Sequence, residues 1–237
     1  DLLSTAILDP EDTPPPAAAK RRRHPRPEPA IRLLDNGLTV VEIPDSRLPL
    51  ASVQLVAKAG LPAESAATAG IGQLLAASMP HGSGRRSGPE IANALESLGA
   101  TLHCSAGNNY LLAGCGGLAP DLPVLLEAIV EIALDPALPA DAVTRERTSQ
   151  RTALDEALDD PLSSALRLVR ASLFGTAGYG LDPLGSPESL AGLDRAQLLA
   201  HHRRHFRGPN LVAAIAGDIG HHDLANLIDS TLGRLPA

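Results

Sequence analysis

Aromatic side chains are almost missing from this chain of 237 residues, which has two Phe, two Tyr and no Trp. Phe174, Phe206, Tyr110 and Tyr179 are too few to build the stacking platforms of single-stranded nucleic-acid modules. The net charge of −7 also lacks the basic footprint such proteins carry, so no nucleic-acid partner is expected. No apolar run approaches the roughly 20 residues that a membrane-spanning helix needs, and no membrane segment is expected. Cysteine is confined to Cys104 and Cys115, too few for a disulfide framework and not spaced as CxxC. A basic-then-apolar leader is absent too: the chain opens Asp1-Leu2-Leu3, and its basic cluster Lys20-Arg21-Arg22-Arg23 comes late. Together these point to a cytoplasmic protein. There is no Gly-x-Ser-x-Gly elbow, no phosphate-binding Walker loop and no dinucleotide fingerprint.

Proline is plentiful, and it is concentrated early. Pro10, Pro14-Pro15-Pro16, Pro25, Pro27 and Pro29 remove backbone donors and stiffen the chain. Residues 1–30 are therefore expected to form a basic, proline-rich arm without regular structure. Acids and bases balance within it, so the acidic surplus lies in residues 31–237.

From Ile31 the pattern turns regular. Ile31–Leu34, the turn residues Asp35-Asn36-Gly37 and Leu38–Ile43 read as a hairpin. Ser52–Lys58 alternates apolar and polar side chains as a half-buried strand does, stopped by Gly60 and Pro62. Glu64–Met79 reads as a helix, and Ser87 with Glu90 opens a second one reaching Leu98. Thr101–Ala106 and Tyr110–Gly114 flank Gly107-Asn108-Asn109 as a second hairpin. Helices are expected over 120–134, 140–158 and 161–174, an irregular loop over 175–185, a helix from the Asp194 cap to His205, a strand over 211–216 and a last helix over 221–232. Strands that pair by hairpins, with helices in blocks, make an α+β fold: a largely antiparallel sheet with helices packed on one face.

The histidines give little chemistry. His201 and His205 share a helical face at i, i+4, but Arg203, Arg204 and Arg207 surround them, and a structural role is expected. His221-His222-Asp223 reads as a capped turn, His81 lies beyond the helix it would have to serve, and His103 has no partner in sequence reach. Gly82–Arg86 reads as a mobile polar loop.

Several strings in fixed order resemble the M16 peptidases, the pitrilysin, insulinase and mitochondrial-processing-peptidase group. They are Asn36-Gly37-Leu38-Thr39-Val40-Val41, Leu98-Gly99-Ala100, Phe174-Gly175 with Tyr179-Gly180, Leu184–Leu190, His205–Asn210 and Ala216-Gly217-Asp218, spread over residues 31–235. Active members carry an inverted zinc motif, His-x-x-Glu-His, on the first helix. Here the segment Gly70–Ser78 places Gln73, Ala76 and Ala77 at the two ligand positions and the general-base position. Catalytic zinc needs about three protein ligands and a carboxylate to deprotonate its water, and a methyl group supplies neither. The third ligand would fall near Ala153–Glu156, where Asp155 and Glu156 read as helix-face charges.

The resemblance implies a subunit, or one half of a two-domain subunit, without intrinsic catalysis and with no cofactor in this chain. Residues 31–237 would form one such domain, in a heterodimer whose partner, a paralogue carrying His-x-x-Glu-His, holds the zinc. It further implies a clam-shell of related domains in which a peptide substrate lies along a sheet edge, and Leu102, His103, Cys104 and Ser105 are the candidate edge strand. Two alternatives stay open: a stand-alone peptide- or protein-binding scaffold, and a zinc peptidase with displaced ligands.

Overall fold

The computed structural model describes residues 28–220 and 222–237. The expected arm falls almost wholly outside them, as does His221. The first hairpin forms where turn chemistry demands it: β1 (Ala30–Leu33) and β2 (Thr39–Pro44) are joined through Gly37 at φ +82°, with Asn36 Oδ1 accepting from the Leu38 N–H at 3.1 Å. The strand β3 (Leu50–Lys58) puts Ala51, Val53, Leu55 and Ala57 into the core and Ser52, Gln54 and Val56 on the opposite face. A second hairpin, β4 (Thr101–Ala106) and β5 (Tyr110–Leu118), and a late strand, β6 (Leu211–Gly217), complete a sheet in the order β1-β2-β6-β3-β5-β4. Only β2 and β6 run parallel; every other neighbouring pair is antiparallel. Because β6 lies between β2 and β3, residues near both ends of the chain share the centre of one sheet.

Helices cover a single face. The helix α1 (Ile71–Ser78) is shorter than the segment Glu64–Met79 read as helical. Gly70 is left-handed at φ +87°, and the Glu64 side chain folds back on the N–H groups of Gly70 and Gly72, a geometry that a helix continuing through residue 64 cannot provide. The capping box opens α2 (Gly88–Glu96) as expected, Glu90 accepting from both the N–H and the hydroxyl of Ser87. Then come α3 (Leu122–Leu134), α4 (Ala140–Asp159), α5 (Pro161–Phe174), α6 (Pro187–Gly192), α7 (Arg195–His205) and α8 (Leu224–Thr231).

Helix α6 is an addition to the expected elements, and its Ser186 cap, accepting from the Ser189 N–H, is an ordinary helix start. The last helix begins at Leu224, three residues later than read. Helix α3 crosses β5 and β3 and buries Leu122, Leu125, Leu126, Ile129, Val130 and Ile132, each worth about 1.5–3 kcal/mol of transfer free energy.

The Gly82–Arg86 segment is a clamp rather than a mobile loop. Ser83 is buried and donates to Glu131 Oε1, and Arg86 pairs with the other oxygen of the same carboxylate. This pairing holds the Glu131 carboxyl below the usual range in spite of burial, which alone would raise it.

Candidate functional site

Helix α1 and the edge strand β4 meet at one end of the sheet. The backbone at the helix start is held from three directions. Glu64 accepts from the Gly70 N–H at 2.8 Å and the Gly72 N–H at 3.1 Å, satisfying two donors that open the helix. Gln150 Nε2, on α4, donates to the carbonyls of Gly70 and Leu184, both at 3.0 Å. Ser189, on α6, donates to the Ala69 carbonyl at 2.8 Å. Burial pushes the Glu64 carboxyl above its ordinary range, and the two N–H donors act against that shift. Gly72 is needed for this approach, since a Cβ there would lie 2.8 Å from Glu64 Oε1.

Sequence reading missed Glu64, Gln150 and Ser189. Only Ser189 carried a signal, its place in a helix-start string; the other two act across sequence gaps that no local pattern spans.

On this fixed helix the residues at the motif positions are Gln73, half-buried, Ala76, buried against the core, and Ala77, exposed. Zinc is the metal the resemblance implies for this helix, and the side chains present do not fit it: one neutral amide and two methyl groups offer no ligand set and no base. Among the described residues no group of three or more His, Cys, Asp or Glu could hold a metal ion. Asp155 is exposed and paired with Arg151 at 2.9 Å, and Glu156 is exposed beside it on α4. His81 Nε2 donates to Glu146 Oε1 at 2.9 Å, which ties the turn after α1 to α4.

The strand β4 has β5 on one side and, among the described residues, no strand on the other. Leu102 and Cys104 face the core. His103 and Ser105 face the side of the sheet without helices, and the His103 ring lies over Gly114, where a Cβ would come within 2.3 Å of it. Desolvation pushes the Cys104 thiol up to about 12, so it stays protonated and unreactive near neutral pH. Cys115, also free, is pushed up to about 11 by the same cause. Beside the start of β4 a groove of about 200 Å³ runs along α2, lined by Ile91, Leu95, Glu96, Thr101 and Leu102.

Three further histidines lie on α7, and His222, before α8, hydrogen-bonds the Ala119 carbonyl at 2.8 Å. His201, His202 and His205 are all nearly buried; His202 stacks on Phe206 with ring centroids 4.4 Å apart, and His201 and His205 are 4.5 Å apart.

Comparison with known proteins agrees with this geometry. A family model described as insulinase (peptidase family M16) matches residues 39–186, and one described as peptidase M16 inactive domain matches residues 192–237. An uncharacterized zinc protease of Mycobacterium tuberculosis is 28% identical over 200 residues, 84% of this chain and 46% of that protein. Human mitochondrial cytochrome b-c1 complex subunit 1 is 26% identical over 89% of this chain and 44% of its own length. The bovine mitochondrial-processing peptidase subunit beta is 25% identical over 88% and 42%.

Among solved structures, a peptidase M16 inactive domain from Pseudomonas fluorescens superposes with a TM-score of 0.81 at 23% identity, covering 88% of this chain and 51% of that one. A protease from Helicobacter pylori gives 0.82 at 17% identity, covering 89% and 51%. The chain thus spans less than half the length of the curated relatives it matches. With well over half of its residues inside the first family model, and with the fold of these neighbours, the chain belongs to peptidase family M16.

Proposed function

We propose that this chain is a non-catalytic subunit, or half of one, in an M16-type peptidase assembly, and that it helps to enclose and bind the peptide. The observation that carries the reading is a helix start held by Glu64, Gln150 and Ser189, whose helix carries Gln73, Ala76 and Ala77 at the motif positions and packs against β4, an edge strand among the described residues. The helix start is held in place, and positions 73, 76 and 77 carry no imidazole or carboxylate. What is left to the site is recognition. A peptide can add as a further strand to β4 along Leu102–Ser105, because backbone hydrogen bonds supply affinity that tolerates many sequences.

Zinc and the general base belong, in this reading, to a paralogue with an intact His-x-x-Glu-His helix. That two relatives are, by name, subunits, of mitochondrial-processing peptidase and of the cytochrome b-c1 complex, supports a multi-chain setting. A cytoplasmic, reducing location goes with the two free thiols and is part of the same proposal.

The test is co-expression with such a paralogue. Cleavage of a peptide by the pair, and by neither chain alone, is the expected result. A paralogue fully active without this chain, or one that never associates with it, refutes the proposal.

A further inference from the structure

Helix α5 stops at Gly175, whose φ of +74° suits glycine, and the chain turns back on the helix at Gly178–Gly180. The turn brings the Tyr179 ring edge-on to Phe174, with centroids 5.7 Å apart. Beside this aromatic pair lies a pocket of about 460 Å³, walled further by Leu166, Val169 and Leu173. Small-ligand sites span about 300–1,000 Å³ and are mostly apolar, with a few placed polar groups that fix orientation.

Two polar groups on these walls have hydrogen-bonding capacity left. Arg170 is half-buried, one helical turn from Leu166 and from Phe174. Its Nη1 is closed to solvent and has no hydrogen-bond partner, and among the described residues no carboxylate pairs with this guanidinium. Asp182, which lines an adjoining cavity together with Arg170, is already held by Arg167 at 2.6 Å and accepts from the Leu184 N–H at 2.8 Å. An N–H of a charged group that meets neither water nor an acceptor is costly. The second group is the Tyr179 hydroxyl. It donates its one proton to Asn109 Oδ1, so what it offers the pocket is an acceptor.

These groups select a ligand by its chemistry. The planar guanidinium suits a carboxylate, the Tyr179 oxygen takes an N–H, and the apolar walls take a hydrocarbon side chain. Carboxylate, amide N–H and apolar side chain meet on a single Cα at the end of a peptide. An acyl chain brings no N–H for Tyr179, and an internal apolar residue brings no carboxylate for Arg170.

We propose that this pocket binds the C-terminal residue of a peptide that ends in an apolar side chain. Arg170 pairs with the terminal carboxylate, Tyr179 accepts from the last amide N–H, and Leu166, Val169 and Leu173 take up the side chain. The inference goes beyond the non-catalytic-subunit reading: it uses neither the β4 edge nor positions 73, 76 and 77, and it needs no paralogue.

Fluorescence anisotropy of a dye-labelled Gly-Ser-Gly-Ser-Ala-Leu peptide, titrated with the full chain to about 1 mM, tests it. Saturable binding is expected, and converting the terminal carboxylate to an amide is expected to weaken it about tenfold or more, the worth of a charge-assisted hydrogen bond. Arg170→Gln is expected to bring the acid down to the affinity of the amide and to leave the amide unchanged, with the same far-UV circular dichroism. Arg145→Gln, exposed on α4, is expected to change neither. Dodecanoate, a carboxylate without an N–H, is expected to displace the peptide poorly. No saturation, equal affinity for acid and amide in the unaltered chain, an acid form indifferent to Arg170→Gln, an amide form weakened by it as much as the acid, or dodecanoate binding tighter than the peptide overturns the proposal.

Discussion

Acidification should loosen this protein through the imidazoles of α7. Desolvation, the largest cause, drives His201 and His202 from an ordinary 6.5 to about 4; Arg204 and His205 near the first, and Arg203 and His201 near the second, push the same way. His205 is lowered for the same reasons. At neutral pH all three are uncharged, folded or unfolded. Below about pH 6.5 the unfolded chain takes up protons that the folded one refuses, so stability falls as pH drops from about 6.5 toward 4 and levels off below. For a shift from 6.5 to about 4, the linkage amounts to about 2 kcal/mol per histidine at pH 5, or about 4 for the pair. Domains of this kind have a net stability of only about 5–15 kcal/mol.

Urea unfolding followed by circular dichroism at about pH 7.5 and pH 5 measures the total loss. His202→Phe, which keeps a ring to stack on Phe206, removes one titrating group and is expected to shrink the loss by about 2 kcal/mol. If wild type and variant lose the same stability between the two pH values, the reasoning fails. Proton resonances of the His201 and His202 rings give a second readout, with midpoints expected near 4 rather than 6.5.

Three further outcomes are expected. Glu64→Ala orphans the Gly70 and Gly72 N–H groups at the start of α1 and is expected to cost about 1–3 kcal/mol in urea unfolding, with faster amide exchange at residues 70–72. Arg86→Ala strips the buried Glu131 carboxylate of its cation, leaving only Ser83; destabilisation of about 2–3 kcal/mol is expected, larger than for Arg145→Ala, whose partner Asp141 is exposed. Equilibrium dialysis against zinc followed by elemental analysis is expected to leave no stoichiometric metal on the chain, and one retained zinc per chain would show that ligands other than Gln73, Ala76 and Ala77 hold it.

The local grammar of the sequence was sufficient for most elements. Asn36-Gly37, the Ser87–Glu90 box and the Asp194 cap each fix an element start by bonds within a few residues, and the alternation in β3 states which side chains face the core. The true start of α1 was hidden because it depends on Glu64 reaching back to two backbone donors rather than on helix propensity. The Gly82–Arg86 clamp was hidden because its acid, Glu131, is 45 residues from Arg86 along the chain.

What the sequence determined by itself is chemical. One neutral amide and two methyl groups at positions 73, 76 and 77 cannot supply the set of ligands and the base that catalytic zinc needs in any fold, so this deficit is a property of the sequence. What only the tertiary structure decided is placement. Strand order, set by β6 entering between β2 and β3, leaves β4 at an edge next to α1. Packing buries the α7 imidazoles and leaves the α5 leucines bare. These follow from contacts between residues far apart in the chain, whose free energy depends on what each face meets and not on the pattern that creates the face.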